Sequence, residues 1–399
     1  MRLFCYGFLS VILALYLVQA GLSDKQVGLL VSLTLAGDAV VTLWLTTRAD
    51  RFGRRRTLIV GALLMIGAGL VFILTRNLFL LMAAAIIGVI SPSGNEIGPF
   101  LSVEQAGLTH LITDRQRTTT FAWYNLAGSF ATATGALAGG WLSQGLMSSG
   151  LTPYNSYRVV LVGYALGGLI LLVIFNFISS AIEIPATGGA QGKPFTLGLS
   201  RSSRGIILRL SALFSLDAFG GALVVQSLVA YWFHLRFGIA PGVIGSIFFG
   251  ANILAGFSAL TAGWMAKKIG LINTMVFTHI PSNILLILVP LMPTLPLAIL
   301  VLLLRFSISQ MDVPTRQSYT MAVVSPEERS AAAGVTSIAR SVGAAFSPAV
   351  TGFLLSIPLL SAPFLISGGL KIIYDLILYY NFRTMKPPEE RAPAAPSRV

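Results

Sequence analysis

The sequence predicts an all-α integral membrane protein of twelve transmembrane helices, arranged in two pseudo-symmetric six-helix bundles. Three observations predict it. The chain is 55% hydrophobic and only 10% charged, whereas a soluble domain carries about 25% charged residues. Its apolar runs are repeatedly long enough to cross a hydrocarbon core of about 30 Å. The second half of the chain repeats the first in register. No ten-residue alternation of apolar and polar side chains is present, which favours helices over a β-barrel.

The first span is expected at 3–21. Its end, Val18-Gln19-Ala20, has the form of a signal-peptide cleavage site. Tyr6, Tyr16 and Gln19 interrupt the apolar run, however, and the segment has a counterpart in the second half, so it reads as a retained helix. Spans follow at 25–47, 56–75, 78–106, 118–143 and 157–181, giving an N-terminal bundle over 1–181. Residues 182–205 include Gly188-Gly189-Ala190-Gln191-Gly192-Lys193-Pro194, a polar, basic, flexible linker. The C-terminal bundle, 206–384, has spans at 206–236, 241–266, 271–291, 295–321, 331–356 and 361–382. The Pro-rich tail, 385–399, is expected to be disordered.

The duplication is explicit. One offset pairs Gly21 with Gly238, Gly28 with Gly245 and Gly53 with Gly270. A slightly smaller one pairs Gln105 with Gln317, Arg117 with Arg329, Ser129 with Ser341 and Gly140 with Gly352. Helix starts repeat too. Thr113-Asp114-Arg115-Gln116 reads as a capping box, and Ser325-Pro326-Glu327-Glu328 as its partner, with Pro in the favoured first turn.

The formal charge of +13 arises from clusters at 48–56, 114–117, 193–209, 267–268 and the tail. Arg and Lys gather in cytoplasmic loops and near anionic lipid, so contact with membrane lipid is expected and nucleic acid is not. An even span count puts both termini in the cytoplasm. Cys5 is the single cysteine, which excludes an intrachain disulfide and thiol clusters. His110, His234 and His279 fall on different spans, so no metal site is expected and each reads as a packing or helix-end residue. No cofactor is expected. The Gly192-Lys193 pair is not a nucleotide loop, because Thr187 and Pro194 occupy the places of the required Gly and Ser/Thr. No His-Glu-x-x-His helix or Gly-x-Ser-x-Gly elbow is present, so the chain is not expected to be an enzyme.

Thr46-Thr47-Arg48-Ala49-Asp50-Arg51-Phe52-Gly53-Arg54-Arg55-Arg56 forms a basic loop between the second and third spans. Gly53 permits a tight turn, and Asp50 is placed to accept hydrogen bonds from a helix N-terminus. The loop resembles the signature of the major facilitator superfamily of secondary transporters, Gly-x-x-x-Asp-Arg-x-Gly-Arg-Arg/Lys. Asp50, Arg51, Gly53, Arg54 and Arg55 match, while Thr46 replaces the first glycine. The repeat copy, Gly263-Trp264-Met265-Ala266-Lys267-Lys268-Ile269-Gly270, carries Lys267 at the acidic position. In the fifth span, Gly135-Ala136-Leu137-Ala138-Gly139-Gly140 resembles the Gly-Pro-x-x-Gly-Gly motif of drug–proton antiporters, with Ala136 in place of proline. With Gly128, these residues suit a close, bendable interface between the halves. Span 11 retains the proline in Ser347-Pro348-Ala349-Val350-Thr351-Gly352.

Ionisable groups at membrane depth are costly and usually paired or functional. Here they are Asp38, Glu96, Glu104, Asp217, Arg305, Asp312, Arg316, Arg340, Lys371 and Asp375. Arg305, Ser309, Asp312 and Arg316 share one helix face in span 10, and Pro314 is expected to interrupt that helix. The resemblance implies that spans 1, 4, 7 and 10 line a central cavity, which assigns the substrate and proton pathway to Asp217, Glu96, Arg305, Asp312, Asp38 and Arg340. An arginine suits planar or anionic groups. The expected cytoplasmic gate comprises Asp50, Arg51, Gly53, Arg54, Arg55, Glu104 and Arg316, with Glu104 on Arg54 and Asp50 on the amides near Ser330-Ala331. Asp38 is expected to pair with Arg340, and Lys371 with Asp375. Tyr16, Asn95, Trp123, Tyr124, Asn125, Gln226 and Asn252 are further substrate candidates.

The expected function is secondary active transport by alternating access, as proton-coupled efflux of a small organic compound through a monomer in the cell (inner or plasma) membrane. The alternative is uptake or facilitated transport of a small anionic metabolite. A non-transporting receptor or scaffold on the same fold is a third reading.

Overall fold

A computed structural model describes residues 1–94, 100–111, 114–179, 182–183, 200–357 and 359–385. The expected spans fall on helices or broken helix pairs. Span 1 is α1 (Arg2–Ser10) and α2 (Leu13–Gln19), bent by 49° at their junction. Span 2 is α3 (Asp24–Phe52), started by a capping box in which Ser23 and Gln26 satisfy each other's amides. Span 3 is α4 (Arg54–Leu74), and span 4 is split into α5 (Leu78–Ile87) and α6 (Phe100–Leu111). Spans 5 and 6 are α7 (Asp114–Ser148) and α8 (Pro153–Asn176), the latter capped by Thr152 with Pro in its first turn.

The second half follows the same plan. Span 7 is α9 (Arg201–Ala222) and α10 (Gln226–Phe237), and span 8 is α11 (Pro241–Ile269). Span 9 is α12 (Leu271–Leu288), extended by a short 3-10 turn at Val289–Leu291. Span 10 is α13 (Leu295–Phe306) and α14 (Asp312–Ala322), span 11 is α15 (Arg329–Ser356), and span 12 is α16 (Ala362–Phe382). Among the described residues, eight helices are long and apolar enough to cross a membrane, or nine if the bent α1–α2 pair is one span. α5 and α13 are shorter apolar helices.

Spans 1, 4, 7 and 10 are therefore the interrupted ones. Interrupted helices expose backbone groups that lipid cannot satisfy, so they are tolerated only where protein or a polar cavity covers them. Here the breaks of spans 1, 4 and 7 meet. Ser227 N–H donates to Pro92 O at 3.0 Å, and Gln226 Nε2 donates to Ser10 Oγ at 2.7 Å. Gly94, at φ +71°, lies against Ser10, Gln226 and Thr132.

The basic loop is tighter than its sequence implied. α3 runs through it to Phe52, and Gly53 alone joins α3 to α4 at φ +102°, with Gly270 doing the same between α11 and α12 at φ +88°. A residue with a Cβ resists that conformation. Thr46 and Thr47 sit inside α3, bonding back to Thr42 O and Leu43 O. The acid at the start of α4 is Glu183, whose carboxylate accepts from Arg54 N at 2.8 Å and Arg55 N at 3.0 Å. Residues 182–183, expected to open the linker, are thus part of the helix packing. The rest of the expected linker and the first capping box lie outside the described residues, apart from Asp114 and its helix and from 200–205. The second box does not close on itself. Glu328 turns to the start of α9, accepting from Ser203 Oγ at 2.6 Å and from Ser200 N–H.

Glycine pairs bring the halves together. Gly28 of α3 faces Gly352 of α15, and Gly140 of α7 faces Gly245 of α11. Beside Pro348, the Ala349 N–H donates to Ser32 Oγ at 2.8 Å. Trp141 Nε1 donates to Ser246 Oγ at 3.0 Å, and Gln144 Oε1 accepts from Gly242 N at 3.0 Å. These contacts occupy the helix ends remote from Gly53 and reach midway, where Ser129 meets Gly256. The expected interface role of the span 5 glycines holds for Gly140. Gly135 and Gly139 instead pack on the backbone of α1 at Phe4 and Phe8, inside one half.

Two predictions follow from this packing. A Cβ at Gly28 would stand 2.7 Å from Gly352 Cα, so Gly28→Val should cost about 1–3 kcal/mol of stability by overpacking, read as a lowered melting temperature. Gly67→Val, with nothing within 4 Å, should change it far less. The hydrogen bonds from Ser203 and Ser200 hold the Glu328 carboxyl down from 4.5 to about 2. A lowered folded value means stabilisation that is present above the unfolded value and lost as pH falls through the folded one. The melting difference between wild type and Glu328→Gln should therefore be full above about pH 4.5 and vanish toward about pH 2.

Candidate functional site

The charged residues of the second half converge on Asp217. Its Oδ1 receives Lys371 Nζ at 2.5 Å, and its Oδ2 receives Arg340 Nη1 at 2.9 Å and Arg316 Nη1 at 3.2 Å. Arg316 also holds Asp312, one turn away on α14, at 2.7 Å. The imidazole of His279 stands with Nε2 3.8 Å from Asp217 and Nδ1 2.9 Å from Asp375. Asn283 donates to the same Asp375 at 3.2 Å. Five helices, α9, α12, α14, α15 and α16, supply these groups.

Local sequence explains the convergence. Gly220 lets the Lys371 stem cross α9, since a Cβ there would come 2.9 Å from Lys371 Cγ. Ser367 Oγ fixes α16 to Gly220 O at 2.6 Å. Phe214 underlies the Arg316 guanidinium at 5.6 Å, and Tyr374 meets His279 edge to face at 6.0 Å. Ser347 Oγ ties α15 to Phe219 O at 2.5 Å. The cluster is buried with one exception. The Arg340 side chain is 33% exposed, against 9% or less for Lys371, Arg316 and His279. Its Nη1 is held by Asp217, while the guanidinium has five N–H donors in all.

Several expectations are corrected. Arg340 pairs with Asp217 and not with Asp38, which accepts from Thr42 Oγ1 at 3.1 Å. Lys371 and Asp375 do not neutralise each other; one reaches Asp217 and the other His279, because the i, i+4 spacing does not hold two side chains together when stronger partners lie across the bundle. Arg316, expected in the cytoplasmic gate, has Asp217 and Asp312 as its ion-pair partners. Glu104 meets Arg2 and, at 2.7 Å, Tyr124 Oη, instead of Arg54. Arg54 and Arg55 anchor α4 to its own half, through Ile182 O at 3.2 Å and Phe175 O at 3.2 Å. Span 10 breaks at 307–311, ahead of Pro314, which sits in the first turn of α14 where its missing N–H costs nothing. The break puts Arg305 on a different helix from Asp312 and Arg316; its guanidinium lies 5.0 Å from the Phe306 ring and stays within electrostatic reach of Asp312.

His279, expected to be a packing residue, is the main residue that sequence reasoning missed. The signal was available: His279 and Asn283 are one turn apart, within a polar stripe that includes Thr274, Thr278 and Ser282 on an apolar helix. Of the other candidates, Gln226 and Asn252 join each other at 3.2 Å in the central junction. Tyr16 is structural, donating to Phe72 O and stacking on Tyr154. Trp123 and Asn125 are exposed. Asn95 and Glu96, and the side chains of Asp50 and Arg51, lie outside the described residues.

The site is thus a buried carboxylate held by cations from three other helices of a chain whose apolar helices are long enough to cross a membrane. The sequence pattern of the Major Facilitator Superfamily matches residues 1–309 and 210–398. The chain belongs to that superfamily, and it is a transporter and not an enzyme. It is 31% identical to an uncharacterized membrane protein of Saccharomyces cerevisiae, YJR124C, over 96% of this chain and 92% of that one. Its fold is similar to that of the nucleoside transporter NupG (TM-score 0.77, 14% identity, 96% and 97% of the two chains). It also resembles a bacterial homologue of the human lysosomal transporter Spinster, crystallised inward-facing and unoccupied (TM-score 0.69, 16% identity, 99% and 96%). A D-xylose–proton symporter is comparable (TM-score 0.70, 15% identity, 95% and 94%).

Removing one member of a buried ion cluster leaves the others uncompensated and typically costs about 3–5 kcal/mol. Asp217→Ala should therefore lower the melting temperature sharply, and Lys371→Met should do so less, since Arg340 and Arg316 remain on Asp217. The double variant should cost less than the sum of the two.

Proposed function

We propose that the protein is a proton-coupled secondary transporter of a small organic anion, working by alternating access with Asp217 as its coupling carboxylate. One observation carries this reading. Arg340, partly exposed, is held by a carboxylate that is itself buried. An anion reaching Arg340 competes with Asp217 for the same guanidinium. Protonating Asp217 weakens its hold on Arg340, and by linkage a bound anion favours that proton. Proton and anion then travel together, which favours uptake driven by an inward proton gradient.

The arrangement of the halves supports the same mechanism. The described contacts join them at the ends remote from Gly53, as expected of a state open toward the basic-loop face. In this reading that face and both termini are cytoplasmic, in the cell membrane, and the unit is a monomer. The glycines that suggested a drug antiporter have a simpler role, since Gly135 and Gly139 seat α7 on α1. That observation moves support from drug efflux to the anion reading. A structural neighbour described as a proton symporter shows that this fold accommodates such coupling.

The test is proton movement in proteoliposomes loaded with a pH dye and challenged with matched carboxylates and their neutral amides. Carboxylates should acidify the lumen, amides should not, and Arg340→Gln should abolish the response. Asp217→Asn should retain anion binding but lose its pH dependence. Acidification by cations or neutral compounds alone, undiminished in Arg340→Gln, contradicts the reading.

A further inference from the structure

We infer that His279 is the proton relay of this transporter, an imidazole that passes a proton between Asp217, which also holds the part-exposed Arg340, and the wholly buried Asp375. The inference rests on the proposed coupling role of Asp217 and adds where the proton goes. The basis is geometric. Both ring nitrogens face carboxylates on different helices, Nδ1 toward Asp375 at 2.9 and 3.0 Å and Nε2 toward Asp217 at 3.8 Å. A neutral imidazole has a single N–H and can serve one of them; the doubly protonated ring serves both. A side chain that only packed would need neither.

The groups facing the imidazole come from each element around it. Asp217 is on α9, Asp375, Lys371 and Tyr374 are on α16, Arg316 and Asp312 on α14, and Arg340 on α15. Asp217, Asp312 and Asp375 balance Lys371, Arg316 and Arg340 when the imidazole is neutral, and Arg305 on α13 is a further cation within electrostatic reach of Asp312. One proton on His279 adds a positive charge to the cluster, which an anion at Arg340 would offset. The transfer balances without any other reactant. A proton on Asp217 moves to Nε2, leaving the Asp217 carboxylate and an imidazolium. The proton on Nδ1 then moves to Asp375, leaving a neutral ring with its N–H on Nε2. Asn283 is a positioning residue, since its amide holds the receiving carboxylate at 3.2 Å. Asp375 is wholly buried and His279 nearly so, which keeps the relayed proton from water.

The chain has three histidines, so the imidazole can be observed directly without knowing the substrate. Full-length protein carrying His110→Gln and His234→Gln, with 15N-labelled histidine, leaves His279 as the one labelled side chain. Its nitrogen resonances should report both the doubly and the singly protonated ring as pH is varied over the range in which the protein stays folded. Asp217→Asn and Asp375→Asn should each shift the midpoint. A ring that keeps one tautomer across that range, stays doubly protonated throughout, or has a midpoint indifferent to Asp217→Asn overturns the inference. Failure of the transport reading looks different: His279 would titrate as described while no solute moved protons.

Discussion

Everything in the second half of this protein is arranged around one buried carboxylate. Asp217 sits at membrane depth, where a lone charge is severely penalised, and it persists because Lys371, Arg340 and Arg316 reach it from three other helices. Those attachments tie α9 to α14, α15 and α16 in one step. They also dictate the small residues nearby: Gly220 makes room for the lysine, and Ser367 and Ser347 pin the helices that carry the cations. A buried ion network of this kind is weak evidence for stability in itself.

The two halves are built alike but are not charged alike. The glycine turns at Gly53 and Gly270 and the crossing pairs Gly28–Gly352 and Gly140–Gly245 recur in both. Among the described residues the ion cluster does not recur. In the first half Glu104 meets Arg2 and Tyr124, Arg55 braces α4 against α8, and Arg54 reaches Ile182 O beyond it. The symmetric part provides the turns and the interface between the halves, and the asymmetric part provides the buried ion cluster. The breaks of spans 1, 4 and 7 meet between the halves, with Gln226 bridging Ser10 and Asn252 across the junction.

The fold was legible because its causes are local. Apolar run length, turn glycines and Ser or Thr caps act within a few residues, and the duplication let each half check the other. The charged positions were legible too, since an aspartate or arginine in an apolar run stands out. Their pairing was not. Lys371 and Asp375 look like a self-neutralising turn of helix until α9 and α12 are placed beside them, and Asp38 and Arg340 look like partners until Asp217 is. Pairing across a bundle depends on helix rotation, which periodicity does not report for helices apolar on every face. His279 was passed over for the same reason, as its partners are 62 and 96 residues away. Glu183 was hidden by its setting, since a lone acid at the start of a polar linker gives no hint that it caps a distant helix.

The central claim is that the charge on Asp217 sets which face of the protein is open. Distance measurement by electron spin resonance tests it most directly. Cys5 is the only cysteine and is buried, so a Cys5→Ser background carrying Arg48→Cys and Lys267→Cys would place two spin labels at exposed positions on the basic-loop face of the opposing halves. The account predicts a long distance at neutral pH, with a population at shorter distance growing on acidification or in Asp217→Asn, where the hold on Arg340 is weakened. A distance distribution unchanged by both would contradict it.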